Sequence, residues 1–95
     1  MYKTKRFQSI ENYAMLDLEV AYKSLLEALK KEIVSKCDIK ENEIILSLKN
    51  RDFNKLFLDL LESIEKKNFS YDWLIESLIK FEKILENEEI CKKNF

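Results

Sequence analysis

The sequence predicts an all-α protein, an antiparallel bundle of about four helices with one long N-terminal member. Three observations carry this. The 95 residues include no glycine and no proline, where average usage would supply about eleven of the two together. Apolar residues recur at three- and four-residue spacing along most of the chain, the period of one helix face. Polar, capping-type residues interrupt that spacing only around Asp38, Asn50 and Ser70. A chain without either breaker reads as helices joined by short polar turns.

Residues 1–9 form a short N-terminal arm, with Lys3, Lys5 and Arg6 between Tyr2 and Phe7. The first helix is predicted over residues 10–37, roughly 40 Å long. Ile10, Ala14, Leu18, Ala21, Leu25, Ala28, Leu29 and Ile33 share one of its sides. Ser9 is placed to cap it, Glu11 suits its first turn, and Lys30, Lys31 and Lys36 suit the negative end of its dipole. A second, smaller strip of Tyr13, Leu16 and Val20 falls on the opposite side, where a simple bundle needs only polar residues.

Asp38 followed by Glu41 resembles a capping box for a second helix over residues 39–49. Within it, Ile44, Leu46 and Leu48 alternate as in a strand. One strand without a partner makes no sheet, so the helix is preferred for residues 43–48. Asn50 closes that helix and Asp52 caps a third over residues 53–67, whose stripe is Phe53, Leu56, Phe57, Leu60, Leu61 and Ile64. Asn68 is the expected left-handed residue beyond its end. Ser70 caps the fourth helix, with Phe69 and Leu74 as a hydrophobic staple. Tyr71, Leu74, Ile75, Leu78, Phe81 and Leu85 form its stripe, widened by Trp73, Ile79 and Ile84. Residues 10–91 thus read as one domain and residues 92–95 as a frayed end.

The composition excludes several chemistries. Without glycine there is no phosphate-cradling P-loop and no dinucleotide fingerprint, since both need backbone with no Cβ beside phosphate. Without histidine there is no Ser-His-Asp or Cys-His machinery and no usual zinc site. Charged residues make up 37% of the chain yet balance to −1, so the basic excess of a nucleic-acid or anionic-membrane footprint is missing. The carboxylates Asp59, Glu62 and Glu65, and Glu82, Glu86 and Glu89, recur at helical steps among lysines and read as exposed, ion-paired faces. No catalytic, cofactor or metal site is expected, and the chain is read as a non-enzyme. Lysine far outnumbers arginine, which reads as a low-GC coding sequence.

Cys37 and Cys91 are expected as free thiols. An up-down-up-down bundle puts them at opposite poles, and a bridge needs Cα atoms within about 7 Å. The basic start lacks the apolar core of a signal peptide, and no run approaches the ~18 apolar residues of a membrane span. A reducing cytoplasm is the expected compartment.

The functional expectation is a small protein-binding module acting stoichiometrically, in an antitoxin, immunity, anti-defence or small-subunit type of role. Its expected contact surface is Tyr13, Leu16, Val20 and Trp73, and its partner another protein or a second copy in a homodimer. The alternative is nucleic-acid binding through the basic arm of Lys3, Lys5 and Arg6. A helix-turn-helix made of the second and third helices is disfavoured, because Arg51, Asn54 and Lys55 are followed by Asp59, Glu62 and Glu65.

Overall fold

Asp17 divides what the periodicity reads as one long helix. In the computed structural model, which describes residues 6–92, α1 spans Gln8–Ala14 and α2 spans Leu18–Cys37. Asp17 is extended (φ −155°, ψ 106°), and its carboxylate accepts from the backbone N–H of Glu19 and Val20 at 3.0 and 3.3 Å. It therefore caps a new helix where the old one would have continued. The spacing from Ala14 to Leu18 to Ala21 runs through the break unchanged, so the pattern alone does not register it. α1 begins after Phe7, not Ser9, and no side chain caps it.

A 3₁₀ turn at Glu41–Glu43 leads into α3, which is only Ile44–Ser47. The predicted second helix is thus reduced to about one turn. Asp38 does not open it. It ends α2 in the left-handed conformation (φ 52°), with its N–H on the Val34 carbonyl. α4 spans Arg51–Glu65 and is capped by Asn50, not Asp52: the Asn50 Oδ1 accepts from Phe53 N–H at 2.9 Å. Its end carries two nested bonds, Lys67 N–H to Ile64 O and Asn68 N–H to Ser63 O, which form a Schellman motif. The left-handed residue is Lys67 (φ 54°) and not the expected Asn68. α5 spans Tyr71–Asn87 and is capped by Ser70 as predicted, with Trp73 N–H on Ser70 Oγ. The protein is therefore an all-α helical bundle of five helices, with no strand among the described residues.

α2 runs through the middle, touching α1, α3 and α4, while α1 and α4 also pack on α5. The core gathers Leu25, Leu29 and Ile33 of α2, Phe53, Phe57 and Leu60 of α4, and Leu74, Leu78 and Phe81 of α5. Phe53 and Phe81 meet edge to face, their rings 5.0 Å apart. Packing from both α1 and α4 buries a wide arc of α5, and this takes Glu82 inside. The expectation of an exposed Glu82 fails for that reason. Its carboxylate instead accepts from the Arg6 backbone N–H at 2.9 Å.

After Asn87 the chain leaves α5 extended and runs as a strap past the end of α3. Lys49 N–H donates to Ile90 O and Lys92 N–H to Ser47 O, both at 2.8 Å, around a single antiparallel bridge between Leu48 and Cys91. Ile90 is fully buried. The strap carries Cys91 back to the end of α2, where it is disulfide-bonded to Cys37 with Cα atoms 5.5 Å apart. Free thiols at opposite poles are thereby corrected. The pole argument assumed a full-length second helix and a chain that stops with its last helix. Lys92, expected to fray, is held by Ser47; residues 93–95 lie outside the described part.

Candidate protein-interaction surface

The strip singled out from the sequence lies at the corner between α1 and α2. Tyr13 is in the last turn of α1, Leu16 in the link and Val20 in the first turn of α2. Their relative exposures are 46%, 86% and 43%, and Met15 beside them reaches 78%. Local geometry explains why Leu16 is left outside. It precedes the cap residue Asp17, where an apolar side chain commonly closes on the fourth residue of the helix. That residue here is Ala21, which is small and fully buried, so Leu16 has nothing to close on. Phe7 turns into the core beside Ile10 and does not cover the strip.

Met15 was missed by sequence reading because it belongs to no stripe. The signal that would have found it is Asp17 itself. A capping-type residue inside an apolar run marks a place where the helix can restart, and where it does, as here, the two residues before the corner are poorly placed to be buried. The thioether of Met15 adapts readily to irregular contacts. The corner is edged by Asp17 and by Glu19, which pairs with Lys23 at 2.8 Å.

Trp73 does not join this corner. It is half-buried, stacked on Tyr22 with ring centroids 5.5 Å apart, and lines a groove between α4 and α5. Tyr22 is also met edge-on by Phe69, and its hydroxyl donates to Ser70 O (3.0 Å) and accepts from Ser70 N–H (2.8 Å). Desolvation raises the Tyr22 pKa above 10.0, while the Ser70 backbone bond pulls the other way.

Of the basic arm, Lys3 and Lys5 lie outside the described residues. Arg6 does not project as a free cation, since its guanidinium pairs with Glu32. The carboxylate series do not converge on a metal site, and no group of three or more histidine, cysteine or acidic side chains able to hold a metal gathers among the described residues. On α4, Lys66 donates to Glu62 at 2.7 Å; that bond and the charge behind it lower the Glu62 pKa and raise that of Lys66. No described helix is long and apolar enough to cross a membrane. No family model, no curated protein and no solved structure matches the chain.

Proposed function

We propose that this protein is a stoichiometric protein-binding module that docks through the α1–α2 corner. The observation that carries the reading is the near-complete exposure of Met15 and Leu16, flanked by Tyr13 and Val20. Single exposed apolar residues are ordinary, but four within one corner form a patch. Burying a Met or Leu side chain fully is worth roughly 1.5–3 kcal/mol each, so a partner gains by covering them. Tyr13 supplies the aromatic anchor common at contact centres. The occupant is another protein or a second copy of this chain.

Replacing both Leu16 and Val20 with Asp tests this. Association, read by sedimentation of the purified chain alone and with its partner, is expected to be lost. The melting midpoint is expected to stay close to the parent's, because surface changes usually shift stability within about 0.5 kcal/mol. A folded double variant that associates like the parent refutes the proposal. Affinity that falls steeply with salt would instead favour the nucleic-acid alternative through Lys3, Lys5 and Arg6. Engagement of Arg6 by Glu32 weighs against that alternative, as does the four-residue length of α3, too short for the first helix of a helix-turn-helix. As to compartment, the cytoplasm expected from the sequence keeps most thiols reduced. The Cys37–Cys91 bridge therefore supports an oxidising setting, or a cytoplasmic role in which the bridge is made and broken.

A further inference from the structure

A second feature lies away from the corner. α4 and α5 leave between them an open groove of about 760 Å³, within the range of small-molecule sites. Its apolar lining is Leu56, Trp73 and Ile84. The indole is held in place from behind, since it stacks on Tyr22 and the Tyr22 hydroxyl is fixed by both backbone atoms of Ser70. A pre-formed aromatic surface of this kind costs a ligand little ordering.

The charges around that lining are balanced and unspent. Lys55, Lys80 and Lys83 line the groove together with Asp52, Asp59 and Glu88. Elsewhere on the described chain a carboxylate and a lysine four positions apart do pair, as Glu19–Lys23 and Glu62–Lys66 show, whereas Lys55 and Asp59 at the same spacing do not. None of the six groove charges belongs to any ion pair of the described residues. A purely anionic ligand entering the groove meets three carboxylates, and a purely cationic one meets three ammonium groups. Only a ligand carrying both signs at once finds partners for each, with its apolar body on Trp73.

We propose that the α4–α5 groove binds a small zwitterion with an apolar body: an α-amino acid with an aliphatic or aromatic side chain, or a short peptide presenting the same two termini. The ligand carboxylate is taken by Lys80 and Lys83 and its ammonium group by Asp59. This site is independent of the α1–α2 corner, and its failure leaves the docking proposal untouched.

Trp73 is the chain's only tryptophan, so no other indole contributes to the emission that reports on the groove lining. Titration with leucine, with phenylalanine and with a leucine dipeptide is expected to give a saturable change for at least one of them. A response to free leucine or phenylalanine identifies the amino acid as the source, and a response to the dipeptide alone identifies a peptide. N-acetyl-leucine and leucinamide, which each lack one charge, are expected to bind roughly tenfold more weakly or worse, because each forfeits a charge-assisted contact. K80Q/K83Q and D59N are each expected to weaken the zwitterion by a similar factor, and both change partly or fully exposed positions. Amide shifts in the labelled protein provide a second readout, expected on α4 and α5 facing the groove. Equal binding of the single-charge analogues, or no saturable response in either readout up to millimolar concentration, overturns the proposal.

Discussion

Tyr22 ties the middle of the fold to the turn before α5 through one hydroxyl. Its phenol is 1% exposed and makes two bonds to Ser70. Desolvation raises its pKa above 10.0 in the folded state. The protonated phenol is thus favoured by folding. Below pH 10 its contribution is fully present; as pH rises past 10 the unfolded chain ionises first, and stability is lost through the folded pKa. Y22F is expected to be less stable at neutral pH by about 1–3 kcal/mol, because the Ser70 amide and carbonyl lose a partner. The gap between parent and Y22F is expected to narrow above pH 10. Parallel urea titrations at neutral and alkaline pH measure it, and a gap constant with pH contradicts the assignment. Sequence reading placed Tyr22 in no stripe. Its spacing was legible all the same, since it stands four residues after Leu18 and three before Leu25, the period of one helix face.

At the scale of elements, helix existence was legible and helix ends were less so. The α4 stripe of Phe53, Phe57 and Leu60 is buried as its spacing requires, and Ser70 caps α5. Asp17 was passed over inside the long stripe, and Asp38 and Asn50 were given the wrong end to cap, for one reason. A short polar residue can cap a start, close an end or sit mid-helix, and its local spacing is the same in all three. With no glycine available, the left-handed positions after α2 and α4 fall to Asp38 and Lys67. Asp tolerates that conformation, whereas Lys, with an ordinary Cβ, is placed there at a cost. K67G is therefore expected to raise stability by about 0.5–1 kcal/mol, despite adding a flexible residue. Thermal unfolding followed by circular dichroism decides it, and a lowered midpoint would show that Lys67 is not strained.

For the whole molecule, the strap and its disulfide are what the sequence least revealed. Helical periodicity carries no information about residues 88–92, and a cysteine pair 54 positions apart has no local signature. The physical case for a bridge is nonetheless strong. A chain of this size has a modest core, and small domains commonly add covalent ties. Closing a loop of 54 residues is worth about 4 kcal/mol in the chain-entropy account. Replacing both Cys37 and Cys91 with Ser is then expected to lower the melting midpoint by roughly 15–30 °C, at about 4–8 °C per kcal/mol for a domain of this length. Melts of the oxidised parent and the double variant test it, and coincident curves would mean that the strap is held without the bridge. The same link also has a mechanical side. Because the tie joins residues 37 and 91, pulling on the two ends loads the arm, α1, α2 and the bridge, while α3, α4 and α5 sit inside a closed ring. Force can unfold those three helices only indirectly, and the ring withholds roughly 180–190 Å of contour that a reduced chain would release. Stretched in an optical trap, the oxidised protein should extend by the shorter step, and a reductant in the buffer should restore the longer one.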